Sequence, residues 1–531
     1  MATQLYYLRQ NVKIEPLFDQ WYAWSHLIPP ATAARNITER HLRIMDSYVT
    51  APEIHAEAAT NRRLLGGPFI DYGGQRVDEI ASLRDHTKTA CRHLVELSRM
   101  ISELDGLLRA EARGYSLQSL YPRVPDGLRG YVELVYDLNN HPAFRLFESL
   151  LYKSRYYDSS LQSIMISEET SDDRPFVLST PRLACAAALH WRIPFSDPAL
   201  DTFFELKSTA SELTTIMALV GAGASDEALV RSFLTPRPPP VYRPYCGPNG
   251  RWRYFGHACV LVETQGVSIL FDPVLSYTYE SAVSRYTYLD LPDVIDYVCI
   301  THNHQDHILI ETLLQIRHKV RHVIVPRGGG SLQDPSLKLL LQAIGFTNII
   351  ELDVMEKVGD ATVSITALPF LGEHCDLDVR TKSAYLVRVG ARSLLFASDS
   401  CNIEPVLYDH IVRETGEAEV LFLGMECVGA PLTWLYGPLL TSKLDKQMDQ
   451  SRRLAGSNYE QAIRMVERCG CREVYVYAMG QEPWLNHVMS LKYTEQSRPI
   501  VESDRLVREC QTRGMVAERL FGEKEMFLAS G

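Results

Sequence analysis

The run Thr301-His302-Asn303-His304-Gln305-Asp306-His307 places four metal-ligating side chains within six residues. Alternate side chains of an extended segment share a face, so His302 and His304 converge on one cation. Asp306 and His307, where the chain leaves the strand end, turn toward a second. A lone histidine is more often a core or surface residue than a ligand. Four potential ligands at this spacing resist that explanation.

Two metals require more ligands, and three later places offer them: Leu371-Gly372-Glu373-His374-Cys375-Asp376, Ala397-Ser398-Asp399-Ser400 and Asn486-His487. Of the neighbours Glu373 and His374, one is expected to reach a metal. With Glu373 the set holds the carboxylates Asp306, Glu373 and Asp399 beside His302, His304, His307 and His487. Anionic oxygen ligands favour harder, higher-valent ions and lower their reduction potential, which suits iron cycling to the ferric state better than redox-inert zinc. The expected chemistry therefore moves from hydrolysis to oxygen activation. Glu426 is a candidate proton donor during O–O cleavage, with a solvated loop carboxylate as the equal alternative. His257 and Asp272 read as supports for the ligands. Trp434, Tyr436 and Trp484 are candidates for a channel lining, and packing accounts for them equally well.

These residues need strand ends to hold them. Cys259 to Glu263, Val267 to Phe271, Tyr297 to Ile300, Val323 to Val325, Thr362 to Ala367, Ala384 to Val389, Ser393 to Phe396, Val420 to Leu423 and Val474 to Tyr477 read as short strands. Helical stretches such as Ile310 to Ile316, Leu337 to Ile344 and Tyr459 to Val466 lie between them. Two sheets with helices outside, a four-layer α/β sandwich, fit this alternation. The segment Thr235-Pro236-Arg237-Pro238-Pro239-Pro240, followed by Pro244 and Pro248, is an extended spacer. It separates an N-terminal domain, 1–245, from a C-terminal one, 246–531. The first is mainly helical, with Leu94, Leu97, Ile101, Leu104 and Leu108 on one helix face. It carries no chemical motif; His86, His93 and His141 read as surface or core residues, and its tyrosines suit either packing or association.

A chain of 531 residues exceeds one ordinary core. Its formal charge of -11 argues against nucleic acid or an anionic membrane as a partner. Eleven scattered cysteines form no disulfide framework, and the N-terminus does not resemble a signal peptide, so a cytoplasmic protein is expected. Gly328-Gly329-Gly330 lacks the following Gly-Lys-Ser/Thr of a phosphate loop, and Cys469 and Cys471 lack a second pair for zinc.

The order of these motifs, with Phe255-Gly256-His257 and Leu270-Phe271-Asp272-Pro273 before them, resembles the metallo-β-lactamase superfamily. Gly372-Glu373-His374-Cys375-Asp376 behind a helical N-terminal half is similar to the diiron aminoacyl β-hydroxylases of chloramphenicol and other nonribosomal peptide pathways. That resemblance implies a metallo-β-lactamase-type αββα domain behind an N-terminal domain that dimerises and shapes access. It implies two irons that bind O₂ and hydroxylate the β-carbon of an amino acid, p-aminophenylalanine by analogy, held as a thioester on a phosphopantetheinyl carrier domain. His302, His304 and Glu373 would hold the first iron, Asp306, His307 and His487 the second, with Asp399 bridging. Electrons would come from a separate reductase or ferredoxin-type donor, since no flavodoxin-like domain is present. The competing readings are a dizinc hydrolase of an ester, lactone or phosphodiester, and a non-catalytic synthetase partner with a structural metal.

Overall fold

In the computed structural model, which describes residues 4–528, the apolar runs after the proline-rich segment become two seven-stranded sheets. The first has the order Ile349–Leu352, Val320–Pro326, Ile295–Cys299, Ser268–Phe271, Cys259–Glu263, Arg251–Gly256, Lys524–Phe527. The second runs Lys357–Gly359, Val363–Leu368, Ala384–Val389, Arg392–Ser398, Val420–Gly424, Glu473–Tyr477, Val516–Arg519. The central strands Cys259–Glu263, Ser268–Phe271 and Val420–Gly424 are buried at every residue, not at alternate ones, because both of their faces are covered. Val260 and Val262 face the layer between the sheets, whereas Cys259 and Leu261 face outward into a core shared with the N-terminal domain. On the other side, Val420 and Phe422 face inward while Leu421 and Leu423 pack under the helices Val406–Thr415, Tyr459–Cys469 and Arg498–Thr512. Rings join the sheets: Phe271 stacks on Phe396 at 3.9 Å and Phe396 on Phe422 at 4.7 Å. The αββα sandwich is the expected one.

In the N-terminal domain the helix Arg92–Glu111 buries Leu94, Leu97, Ile101, Leu104 and Leu108, as their spacing predicts. Beside the helices lies a four-stranded antiparallel sheet of Trp21–Tyr22, Val12–Phe18, Gln162–Glu168 and Leu189–Arg192, which helical periodicity does not announce. Residues 236–249 carry neither helix nor strand. Where the domains meet, Arg174 lies 2.9 Å from Glu15 and 2.8 Å from Glu311, and Arg182 lies 3.0 Å from Glu15. Glu311 also accepts the hydroxyls of Tyr22 and Tyr277, each at 2.7 Å. This buried network anchors the helix Ile310–Ile316 that follows the histidine cluster. Among the described residues, no single helix is long and apolar enough to cross a membrane.

Candidate metal centre

The site forms where strands of both sheets end. Ile295–Cys299 leads into residues 301–307, and Val363–Leu368, Arg392–Ser398 and Val420–Gly424 lead into Glu373, Asp399 and Glu426. The backbone around it is strained: His257, Asp272, Glu373, Cys375, Asp376, Ser398 and Ala478 have φ between +35° and +67°. Such residues each cost on the order of 1–3 kcal/mol and gather where the fold over-determines a functional geometry.

His302, His304, Glu373 and His374 form one group with ligand atoms within 4.8 Å of one another, and His302, His307 and Asp399 form another. His257, Asp306 and His307 form a third. Nε2 of His307 is 2.9 Å from Oδ2 of Asp399, and Nδ1 of His304 is 2.9 Å from Oε2 of Glu373. Yet His307 Nε2 and Glu373 Oε2, like Asp399 Oδ1 and His374 Nε2, are buried without a hydrogen-bond partner. Buried polar atoms are nearly always bonded. Here nitrogen and oxygen atoms converge on common points instead of pairing with each other, and a pair of metal ions fits that arrangement.

Bonds on the far side of each ring set its orientation. His307 Nδ1–H donates to Asp272 Oδ2 at 2.9 Å. The Thr301 hydroxyl donates to the same oxygen at 2.6 Å and accepts from His302 Nδ1–H at 3.0 Å. His304 Nε2 lies 3.1 Å from the Tyr436 hydroxyl. Nε2 of His302, Nδ1 of His304 and Nε2 of His307 are thereby turned toward one another and toward Glu373 and Asp399.

Charge favours a cation at the same place. Burial depresses His302, with His307 adding to it. At His307 burial is outweighed by Asp399, Asp306 and Asp272, which hold the ring well above its ordinary value. Burial raises Glu373, and it drives Glu426 well above the carboxylate range together with Asp399 and Asp306.

Six of the seven expected ligands, His302, His304, Asp306, His307, Glu373 and Asp399, fall into these groups, and His374 joins them beside Glu373. His487 does not. The helix Asn486–Met489 turns its ring edge-on to Tyr22 at 6.1 Å, and its carbonyl accepts Val177 N–H at 2.9 Å. Both nitrogens of His487 are buried and unpartnered. Glu426 lines a cavity of about 360 Å³ with His304, Asp306, Glu373 and Asp399. Trp434 lines it too, whereas Trp484 packs under Gly256 and against Arg285 at 4.3 Å. Sequence reading did not find the N-terminal contributors. Arg63, Leu65 and Gly66 wall the cavity. His26 lies 6.1 Å from Tyr436, and burial, aided by His304, lowers it to about 3.

The N-terminal domain of diiron non-heme β-hydroxylases matches residues 7–238, and the β-lactamase superfamily domain matches residues 268–477. A 4-amino-L-phenylalanyl-(CmlP-peptidyl-carrier-protein) 3-hydroxylase from Streptomyces venezuelae is 42% identical over 523 residues, 97% of this chain and 98% of the relative. The chain belongs to the diiron β-hydroxylase family. The crystal structure of CmlA, a diiron β-hydroxylase from Streptomyces venezuelae, superposes with a TM-score of 0.93 at 41% identity, covering 99% of this chain and 100% of that one. A mutant of the CmlA β-hydroxylase superposes at 0.90 with 40% identity, covering 98% of this chain and 100% of that one. This diiron β-hydroxylase is thus an oxygenase, and the hydrolase reading is set aside. The convergent carboxylates and imidazoles form the groups that could hold its metal ions.

Proposed function

We propose that this enzyme hydroxylates the β-carbon of an aminoacyl group, 4-aminophenylalanine or a near analogue, held as a thioester on a peptide carrier domain. The observation that carries the reading is the carboxylate-rich pocket at the strand ends, walled by the N-terminal domain. His302, His304 and Glu373 would hold the first iron and Asp306 and His307 the second, with Asp399, 3.7 Å from His302 and 2.9 Å from His307, beside both. His487, expected on the second iron, stands outside these groups, beside Tyr22 and the charged network of Arg174, Glu15 and Arg182. Bound iron supplies the electrons and Lewis acidity for O₂ activation that no side chain provides.

The chain's own residues do the rest. Asp272 holds the proton of His307 on Nδ1, and Thr301 fixes His302. Tyr436 takes the Nε2 side of His304. Glu426, kept protonated by burial and by Asp399, retains a proton at its carboxyl for delivery beside the metals. Leu65 and Gly66 form part of the cavity wall. Trp434, whose indole N–H donates to the Gly66 carbonyl at 2.9 Å and whose ring stacks on Phe176 at 6.2 Å, gives an aromatic wall.

Leu138, Tyr115, Tyr121, Phe147 and Leu150 are exposed around the hairpin Val132–Tyr136 and Pro142–Leu146, which supports a homodimer face. All eleven cysteines are free, which suits a reducing cytoplasm. The electron donor is a separate protein. Rapid mixing of the diferrous enzyme with O₂ tests the tethered substrate. The reaction is expected to be slow alone or with the free amino acid and much faster with the aminoacylated carrier, because remote binding energy then positions the C–H bond. Equal rates would return the question to a small-molecule substrate.

A further inference from the structure

Asp306 has a second partner, and proximity alone makes that partner a candidate ligand. His257 is fully buried in the turn between Arg251–Gly256 and Cys259–Glu263, with φ +52°, and it groups with Asp306 and His307. Its hydrogen bonds assign a different part. The backbone N–H of Gly480 points at Nδ1 at 3.1 Å, and a backbone N–H only donates, so Nδ1 carries a lone pair. The proton of the neutral ring therefore sits on Nε2, 3.0 Å from Asp306 Oδ2. A protonated ring would set Nδ1–H against the Gly480 N–H. Binding a metal through Nε2 would require an imidazolate or the loss of the Gly480 bond.

We propose that His257 is a positioning residue that clamps Asp306 through Nε2–H and is not itself a ligand, an inference that rests on reading Asp306 as a ligand of the second iron. The clamp engages Oδ2, the oxygen that also lies 3.6 Å from His307 Nε2, and so fixes the carboxylate beside that ligand nitrogen. A charge-assisted bond of this kind also draws electron density from the carboxylate, so Asp306 becomes a weaker donor and the potential of its iron rises. The clamp is built from three segments. His257 O accepts Ala478 N–H at 2.9 Å, which ties the turn to the chain that follows Glu473–Tyr477. Glycine is required next to it, because at Gly256, with φ +110°, a Cβ would stand 2.6 Å from the Trp484 ring. Asp306 is thus registered against both sheets by one imidazole.

The test uses the anaerobic diferrous holoenzyme challenged with ferrozine, reading iron released per chain. His257→Phe keeps the ring but removes both nitrogens. It is expected to give up one of its two irons at roughly 10- to 100-fold lower chelator, and to show a lower midpoint potential. His257→Gln, whose amide oxygen accepts from Gly480 while its NH₂ donates to Asp306, should retain both irons, with the histidine count by X-ray absorption unchanged. That rescue and count carry the proposal if His257→Phe does not fold. Wild-type iron retention and potential in His257→Phe overturn the clamp, and a histidine count lowered by one in His257→Gln makes His257 a ligand and overturns it too. Asp306→Asn separates the two levels: if it keeps both irons, the ligand reading beneath the proposal is what fails.

Discussion

Replacing Asp272 with Asn changes few atoms but moves a proton. Asp272 is fully buried. Its Oδ1 accepts Thr301 N–H at 2.7 Å, and its Oδ2 accepts the Thr301 hydroxyl at 2.6 Å and His307 Nδ1–H at 2.9 Å. An amide NH₂ cannot face the Thr301 N–H, a donor that has no alternative, so it takes the Oδ2 position. The Thr301 hydroxyl can turn its proton to Ser398 Oγ, 3.1 Å away. His307 adapts by moving its own proton to Nε2, the edge 2.9 Å from Asp399, where the metal needs a lone pair. Restoring the ligating tautomer sacrifices a hydrogen bond to a charged group, worth roughly 1.5–3 kcal/mol, or about 10- to 150-fold in affinity for the second iron. The apoprotein should also melt lower than wild type, because the buried Asp272 carboxylate is one of the charges that hold the His307 ring protonated. Anaerobic Fe(II) binding under chelator competition should show one weakened site and one unchanged. Two wild-type sites, or two equally weakened ones, would refute the tautomer argument.

Arg174→Met should lower unfolding stability by roughly 3–5 kcal/mol, because it leaves Glu15 and Glu311 buried without their shared cation; urea unfolding measures it, and partial recovery in the double variant with Glu311→Gln identifies the stranded charge as the cause. Glu148→Gln should change the pH dependence of stability. Burial pushes Glu148 up to about 7 from 4.5, with Oε2 bonded to Ser336 N–H and Oε1 unpartnered. Between those values the folded state holds a proton that the unfolded chain releases, so stability falls as pH rises through the window, by roughly 3 kcal/mol in total. The variant should therefore match wild type below pH 4.5 and exceed it above pH 7 in thermal melts; parallel profiles would refute the shift.

Legibility followed physical locality. The strands were readable because burial on both faces leaves continuous apolar runs, as in Val420–Gly424, and His302, His304, Asp306 and His307 because one loop holds all four. The N-terminal sheet was less so, since Pro16 and Glu15 interrupt the apolar run of Val12–Phe18. Glu373 and His374 stayed ambiguous because adjacent residues in a strained turn both reach the group, and nothing local separates them. Arg63, Gly66 and His26 reach the site only through packing between domains, which no spacing in the chain encodes.

The pair His257 and His487 shows where residue type runs out. Both are single histidines with no neighbouring ligand, and sequence reading placed the first as a support and the second on the metal. The fold puts His257 against Asp306 and His307, and His487 against Tyr22. Proximity would then exchange their roles, yet a ligand needs a free lone pair as well as a place. The bond from Gly480 leaves His257 with a proton where a metal would sit, while His487 has unpartnered nitrogens but lies outside every group of convergent ligand atoms. Spacing predicts which side chains can meet. Which of them can ligate depends on backbone donors such as Gly480 N–H, brought to His257 across 223 residues of chain.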